Sequence, residues 1–483
     1  MKRIAIIASV LLVYSSCLQA QDQTEALRYS MYTPVGTARF MGMGGAMGAI
    51  GGDFSAVSFN PAGLAVYRSS EFELTPSLLQ VRSESDYLEN HNTSTSYDFN
   101  FASLGYVAAT RTGREQGLVG INFGFGYNTL ANFSSLVSMR GINNNNSFLD
   151  DLTLYANNNP DNLDPFYEGL GFESYLIPYD TDRGEYWNNI AESGYGEQQV
   201  RQVETSGYLG EYSFSTALNF SDFLYVGASL GLQSVRYNES IAHYETDLDD
   251  HIVDFQSFRF REFNSTRGSG VNFKIGAIIR PVQMLRLGVS LHLPTFYSLT
   301  EQKETDMASY WDAGSGIDNK VVYSPFGEEF YRLRTPLRAT ASAAIILGKV
   351  GLVSLDYEYV DYRTAYMRSS TYAYLDENDA IGSDYRAVHN LKLGGEVRFS
   401  SLYLRAGVQS FMSPYRNQEL TGPFVTPAFG IGYRKNNVFI DLSYQHKTRN
   451  EIYGLYTKAP GVYEVAQNKY TSGNVLMTLG VRF

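Results

Sequence analysis

The chain has a single cysteine, Cys17, among its 483 residues. It lies in the segment from Met1 to Ala20, where Lys2 and Arg3 precede an apolar run and the last residues form a small-residue cleavage site. We therefore expect residues 1–20 to be a secretory signal peptide. A lipid-modified Cys17 is the less favoured alternative, because the residues before it fit that pattern poorly. A mature chain without cysteine excludes a disulfide-stapled scaffold.

Long hydrophobic runs are also missing. After residue 20 no segment approaches the roughly 18 apolar residues that a membrane-spanning helix needs, so any membrane passage has to use strands. Tryptophan is scarce, with two residues, whereas the chain contains 44 Gly, 38 Tyr and 29 Phe. The formal net charge of −12 disfavours nucleic acid as a partner.

No enzyme signature stands out. The motif Gly42-Met43-Gly44 is followed by Met47 where a dinucleotide-binding loop needs a third glycine. The six histidines have no metal-ligand spacing, and no Ser, His and Asp set is indicated. His243 and His251, which share a loop, are the residues that a heme-binding alternative would use. We expect a protein that is not an enzyme and that has neither a cofactor nor a metal site.

Apolar and polar residues alternate from about Glu71 to the C-terminus. In Leu285 to Leu293, for example, every second residue is Leu or Val. One face of such a strand suits hydrocarbon and the other suits water. The pattern predicts fourteen strands, at residues 71–81, 96–109, 117–128, 208–220, 223–235, 269–280, 284–299, 331–347, 350–363, 386–399, 402–411, 424–434, 437–447 and 473–483.

The connections between these strands favour a membrane barrel. Short turns alternate with longer connections throughout, as in an outer-membrane barrel with periplasmic turns and external loops. Residues 252–264 also alternate, but an even strand number assigns them to a β-rich external loop. The longest connection, residues 129–207, is predicted to be a solvated extracellular loop, and a calcium site in it is disfavoured because no spaced ligand motif is present. A soluble β-sandwich has shorter strands and would leave this connection unexplained.

The segment from Gly36 to Leu64 has eight glycines in 29 residues and no sustained helix or strand period. It is predicted to form a compact, irregular plug. The segment ends in Asn60, Pro61, Ala62 and Gly63, the residue order of a type I turn or of a helix N-cap followed by proline. These four residues are the candidate hinge or latch, and a rigid turn is the alternative.

The third predicted strand has almost no side chains on its lumen face, where Gly120, Asn122, Gly124 and Gly126 lie. Glycine inside a strand marks a bulge, a bend, or the close approach of another backbone. Either the wall kinks there or the plug presses there.

Charged residues of both signs are expected on the lumen faces. The candidate lumen cations are Lys274, Arg286 and Arg338. We expect lumen charges to form ion pairs with one another and with plug residues such as Arg39 and Asp53. Recognition of an acidic ligand by one of these cations is the alternative.

The sequence resembles the FadL/TodX family of outer-membrane transporters for long-chain fatty acids and other hydrophobic compounds. The resemblance lies in Met43-Gly44-Gly45-Ala46, Asp53, Ser55-Ala56-Val57 and Asn60-Pro61-Ala62-Gly63-Leu64. It continues in Gly270 to Pro294, in Leu404-Arg405-Ala406-Gly407 and in the terminal Phe483, so it covers essentially the mature chain.

The resemblance implies an all-β transmembrane antiparallel barrel of about 14 strands in the Gram-negative outer membrane. Residues 69–483 would form the barrel, and residues 21–68 would form an N-terminal hatch, which corresponds to the plug. The implied function is uptake of small hydrophobic molecules, such as long-chain fatty acids, by external binding and hatch-gated diffusion. Ligand would leave sideways through a kinked third strand.

The expected partners are a hydrophobic ligand and outer-membrane lipid, and the expected state is a monomer. Two alternatives come from relatives of the family, namely a hemin receptor and a non-transporting barrel that assists protein secretion or surface attachment. No motif matches the ligand-contacting residues of the family, so none of these is assigned.

Overall fold

The computed structural model describes residues 23–33, 35–418 and 420–483. The predicted signal peptide at residues 1–20 lies outside this range. The strands are β1 Glu71–Tyr87, β2 Asn90–Arg111, β3 Leu118–Asn132, β4 Ser135–Asn143, β5 Tyr179–Asp180, β6 Glu185–Tyr186, β7 Glu197–Phe220, β8 Leu224–Thr246, β9 Phe255–Val282, β10 Leu285–His292, β11 Phe296–Trp311, β12 Lys320–Tyr323, β13 Gly327–Arg334, β14 Arg338–Leu347, β15 Gly351–Asp361, β16 Tyr366–Arg368, β17 Ala387–Phe399, β18 Leu402–Phe411, β19 Phe424–Lys435, β20 Val438–Ala459 and β21 Val462–Arg482.

The helices are short. They are α1 Gln23–Ser30, α2 Ala38–Gly42, α3 Phe54–Val57, α4 Phe148–Asn158, α5 Glu168–Glu173, α6 Asn189–Ser193 and α7 Leu375–Asp384, with 3-10 helices at Pro61–Val66 and Tyr362–Thr364. None of the helices within the described ranges is long and apolar enough to cross a membrane.

Fourteen antiparallel strands form a closed barrel. They are β1, β2, β3, β7, β8, β9, β10, β14, β15, β17, β18, β19, β20 and β21, and closure follows because β1 pairs with both β2 and β21. The two ends of the barrel chain meet where Ser70 N donates to Phe483 O at 3.1 Å. The predicted strand number and the closed, antiparallel architecture are confirmed.

Five further strands extend the wall at the end opposite the short turns, which we call the external end, whereas β5 and β6 form a separate two-stranded sheet. There β4 pairs with β7, and β11, β12, β13 and β16 pair among themselves and with β9. Residues 255–264 belong to the outer half of β9, which pairs with β11 and with β8. The segment at 252–264 therefore adds no barrel strand, as predicted.

Proline interrupts two of the predicted strands. The predicted strand 284–299 divides into β10 and β11 at Pro294, and the predicted strand 331–347 divides into β13 and β14 at Pro336. Proline has no N–H to donate to a ladder, so neither strand continues through it. The two breaks lie side by side, since Thr335 N donates to Thr295 O at 3.0 Å.

Two predicted loops are instead hairpins that lengthen the wall. Residues 82–95 are paired strand except at Leu88 and Glu89, which adopt positive φ at the turn. Residues 448–472 pair across β20 and β21 and turn near Gly461. The predicted strands are too short at these ends. Beyond the membrane the outward side chains no longer need to be apolar, so the alternation of apolar and polar residues is lost there.

The predicted solvated loop contains a packed domain at residues 144–196, which we call the cap. Its apolar side chains Phe148, Leu149, Leu152, Ile177 and Ile190 are buried. They pack against the outer ends of the wall, where the ring of Phe148 lies 5.1 Å from that of Phe260 and 6.0 Å from that of Tyr456. The expectation of a solvated loop is therefore wrong for this segment.

A wall carboxylate holds the cap in place. Glu245 on β8 accepts a hydrogen bond from Phe148 N at 2.8 Å and another from the Ser147 hydroxyl. These groups begin helix α4, whose first N–H groups have no partner inside the helix. The cap is thus tied to the barrel at its helix N-terminus.

The outward face of the barrel is apolar along its middle. Exposed residues there include Phe72, Phe125, Leu230, Phe273, Leu393, Ile431 and Leu479. A closed barrel with such a band satisfies its backbone hydrogen bonds internally and presents hydrocarbon outward, which is how strands span a membrane.

The N-terminal segment lies inside the barrel and approaches glycines of the wall. A Cβ atom on Gly276 would lie 2.0 Å from Asn60 Oδ1, and one on Gly227 would lie 2.4 Å from the carbonyl carbon of Pro61. Across the lumen, a Cβ on Gly394 would lie 2.1 Å from Met43 O. The wall lacks side chains where the backbone of the plug needs the space.

We predict that Gly276→Ala displaces the plug without unfolding the barrel. The added methyl group overlaps Asn60, and overpacking of this kind costs about 1 to 3 kcal/mol. Limited proteolysis of the detergent-purified protein should cut the plug faster, while the heat resistance of the barrel on gels is unchanged. Gly120→Ala is the control, because a Cβ there meets nothing closer than 3.5 Å. If the plug were equally resistant to proteolysis in both variants, the close contact between Gly276 and Asn60 would be contradicted.

The cap should be held more weakly at alkaline pH. Burial raises the pKa of Glu168, on α5, from 4.5 to about 7. A carboxyl whose folded pKa is raised stabilises the docked cap fully below its unfolded pKa, and this contribution is lost as the pH rises through about 7. The part of this contribution that is lost between pH 6 and pH 8 is about 1.4 kcal/mol, the equivalent of one pKa unit.

Hydrogen exchange in the cap, corrected for intrinsic rates, should therefore be faster at pH 8 than at pH 6. Glu168→Gln should remove most of this difference. Glu173→Gln, an exposed change on the same helix, should leave it intact. A pH dependence that is identical in the two variants would show that Glu168 is not its source.

Candidate functional site

The motif of Asn60, Pro61, Ala62 and Gly63 forms a fixed turn at the centre of the plug. Asn60 Oδ1 accepts from Ala62 N at 3.1 Å, and Pro61 is the first residue of the 3-10 helix. This confirms the predicted N-cap followed by proline. Asn60 Nδ2 donates to Gly48 O at 2.8 Å, so one buried side chain joins two parts of the plug. The hinge or latch role stays a prediction.

Hydrogen bonds within the plug join its two short helices. Asp53 caps α3 by accepting from Ser55 N at 3.1 Å, and it also accepts from Thr37 Oγ1 at 2.8 Å. Thr37 in turn caps α2 and donates its N–H to Ser55 Oγ at 2.7 Å. Asp53 therefore holds the plug together internally, and no ion pair between it and the wall is present among the described residues.

A buried charge network joins the plug to the wall. Arg39 Nε donates to Glu396 Oε2 at 3.0 Å, and the same oxygen accepts from Arg405 Nε at 2.8 Å. Arg405 continues to Asp441 at 2.6 Å. The predicted pairing of Arg39 with a lumen carboxylate is confirmed. Removing one member of such a network costs about 3 to 5 kcal/mol, because the other buried charges lose their partner.

Two of the predicted lumen cations hold the plug by its carbonyl groups. Arg286 donates to Ile50 O at 2.6 Å. Arg338 donates to Ser30 O and lies 3.4 Å from Glu358. Both arginines are thus occupied by contacts that fix the position of the plug.

The third predicted cation, Lys274, forms an ion pair with Glu211 on β7. It lines a small cavity beside Phe59, together with His292 and Lys392. The Lys392 ammonium lies 4.4 Å from the centre of the Phe59 ring. Arg338 lines the same small cavity but Arg286 does not, so two of the three predicted cations are brought together there.

The glycines of the third strand receive side chains of the plug. A Cβ on Gly126 would lie 2.5 Å from the Phe54 ring, and one on Gly124 would lie 3.1 Å from Leu64. A Cβ on Gly120 would make only ordinary contacts, the nearest at 3.5 Å from Thr110 O, and β2 and β3 stay paired along the whole stretch. This arrangement favours the plug-contact interpretation of Gly124 and Gly126, and a kink that opens the wall stays a prediction.

A large cavity of about 670 Å³ lies between the N-terminal segment and the wall, next to the cluster in which the cap packs on the wall. Leu27 and Met31 of the N-terminal segment line its inner side, and Val137 and Val203, which pack in the cap cluster, line its outer side. Leu79, Phe133, Tyr237, Phe424 and Lys447 are among its other lining residues. Sequence reasoning missed this site, because its walls come from segments up to several hundred residues apart.

His243 and His251 do not line this cavity. The prediction that they share a loop is wrong, because His243 lies on β8, which continues to Thr246. His243 is buried, and its Nε2 lies 2.9 Å from Glu245. His251 contacts the Tyr195 carbonyl through Nε2 and Asp247 through Nδ1 at 3.1 Å. Within the described ranges, no group of three His, Cys, Asp or Glu side chains is placed to hold a metal ion.

No protein-family model matches the chain, and no curated protein matches it. Several solved structures, however, are similar to the chain. The crystal structure of a Pseudomonas aeruginosa FadL homologue is similar with a TM-score of 0.58 at 14% identity, over 94% of this chain and 100% of the other.

Two toluene transporters have the same architecture. The Pseudomonas putida transporter TodX has a TM-score of 0.53 at 14% identity, over 94% of this chain and 100% of that one. The Ralstonia pickettii transporter TbuX has a TM-score of 0.51 at 15% identity, over 95% of this chain and 100% of that one. In fold, the chain is therefore a closed antiparallel β-barrel of the type found in these FadL and TodX structures.

Proposed function

We propose that the protein takes up small hydrophobic molecules across the outer membrane, binding them in the cavity between cap and plug. The cavity carries this proposal, because about 670 Å³ is within the usual range for a small-molecule site. Its position above the plug suits a ligand that arrives from outside. The similar structures include toluene transporters, which supports a hydrophobic substrate.

The lining of the cavity mixes apolar and polar side chains, and its apolar part suits a hydrocarbon chain. Aliphatic and aromatic side chains such as Leu79, Phe133 and Phe424 can bury a hydrocarbon chain, at about 0.8 kcal/mol per methylene. Lys447 is the cation available to a polar end group, since it lies 4.4 Å over the Phe424 ring and forms no ion pair among the described residues. Transport in this proposal involves no chemical step, and one monomer contains both cavity and plug.

Passage requires a change in the plug. In this conformation the lumen is blocked by the plug, which the Asn60 turn and the Arg39 network hold in place. We propose that movement of the plug opens the way inward and that Asn60 acts as a latch. An exit through the wall at Gly120, Gly124 and Gly126 would require the ladder between β2 and β3 to open there.

Filling the cavity should block uptake. Leu79→Trp places an indole into the cavity, whereas Leu78→Trp places the same group on the outward face, where Leu78 is exposed. We expect binding of radiolabelled long-chain fatty acid or toluene to weaken about tenfold in the first variant, a loss of roughly 1.4 kcal/mol. The second variant is the matched control and should bind like the parent protein. Equal binding by both would place the ligand elsewhere.

Asn60→Ala should raise uptake more than it changes barrel stability. The substitution removes the N-cap and the bond to Gly48, which costs about 1 kcal/mol and makes plug opening roughly fivefold more frequent. Liposome uptake of a fluorescent hydrophobic probe measures the first quantity, and heat resistance measures the second.

The control for this experiment is Asn437→Ala, a change of the same kind at an exposed turn. Unchanged uptake with unchanged heat resistance would reduce the Asn60 motif to a rigid turn. If the parent protein bound no hydrophobic ligand and co-purified with a secretion complex, the transport proposal would be wrong.

A further inference from the structure

Five arginines gather on the outward face of the wall near the external end. They are Arg236 on β8, Arg267 on β9, Arg332 and Arg334 on β13, and Arg368 on β16, and all five are exposed. We call them the arginine patch. Neighbouring residues in the sequence, such as Tyr237, Leu333 and Met367, pack inward in one cluster with the N-terminal helix, so the arginines point away from the barrel.

Strand register brings the patch together. Arg236 is directly opposite Arg267, and Arg332 is directly opposite Arg368. Residues opposite each other on antiparallel strands have Cβ atoms about 5 Å apart, and like charges in that position are destabilising. The wall thus contains two unfavourable arginine pairs on one surface.

Protein carboxylates do not neutralise this charge. Among the described residues, none of the five arginines forms an ion pair. Arg334 has only a weak hydrogen bond to Thr364 O at 3.5 Å and a contact with the Tyr366 ring at 5.6 Å. By contrast, Arg261, further out on β9, is paired with Asp306 at 2.8 Å.

The patch lies at the border of the apolar band. On the membrane side of the Arg236–Arg267 pair, the exposed residues Leu232, Val271 and Phe296 form one outward row, which Arg334 continues opposite Phe296. Between that row and the Arg236–Arg267 pair lie three hydroxyl residues in register, Ser234, Ser269 and Ser298. Apolar, hydroxyl and cationic groups therefore succeed one another along the wall.

We propose that the arginine patch binds the phosphate groups of a lipid in the outer leaflet. Arginine recognises phosphate with paired N–H donors, and clustered basic residues beside a membrane bind anionic lipid headgroups. The serine hydroxyls can donate to the same oxygens. The acyl chains of the lipid would lie over Leu232, Val271 and Phe296, which favours a lipid over a soluble anion.

The test is lipid retention by the detergent-purified protein, with bisphosphorylated lipid A as the probe and native mass spectrometry as the measurement. Arg267→Gln combined with Arg332→Gln removes one arginine from each opposed pair. We expect the affinity for the probe to fall at least about tenfold, because charge-assisted contacts to phosphate are lost. Fully dephosphorylated probe should bind the parent and the variant equally.

The control pair is Arg114→Gln with Arg140→Gln, two exposed arginines outside the patch, and it should retain the lipid. Replacing Arg267 and Arg332 by lysine should restore part of the binding, and unchanged heat resistance will establish that each variant is folded. Retention by the Gln variant equal to that of the parent would overturn the proposal. So would inorganic phosphate binding as tightly as the lipid, or heparin binding without lipid binding.

Discussion

The contact between the plug backbone and the wall backbone is the constraint on which the rest of the structure depends. Wall residues at this contact are glycines such as Gly227, Gly276 and Gly394, where a Cβ atom would overlap the plug. Many hydrogen bonds then fix the plug to the wall. Examples are those from Arg39 to Glu396, from Gly48 N to Asp356 and from Asn122 to Leu64 O. The plug therefore fits closely against the inner face of the wall, and polar contacts set the position of the plug.

This constraint separates the barrel into parts with different tasks. The wall supplies an apolar outer band and a glycine-lined inner face. The cap, tied to the wall through Glu245, covers a cavity that ends at the plug. Under the proposed function, a ligand held there passes inward only when the plug moves. The proposed role of the outward arginines is to bind the surrounding lipid, and this binding does not depend on the position of the plug.

Much of the fold could be predicted from the sequence, because a strand between lipid and lumen must alternate. The N-cap at Asn60 was also predictable, since its signal is local. The breaks at Pro294 and Pro336 had a local signal too, but alternation on both sides concealed them. The cavity and the pairing of Arg39 with a particular carboxylate were not predictable, because Arg39 and Glu396 are 357 residues apart. The arginine patch was not predictable either, because its members come together only through the register of strands β8, β9, β11, β13 and β16.

The central claim is that the plug must move for a hydrophobic molecule to pass. A disulfide between Gly48→Cys and Ser342→Cys tests it directly, because a Cβ on Gly48 would lie 3.2 Å from Ser342 Cβ, close to the separation in a disulfide. Uptake by proteoliposomes should fall to background when this bond is oxidised and return when it is reduced. Equal uptake by the oxidised and reduced forms would contradict a moving plug.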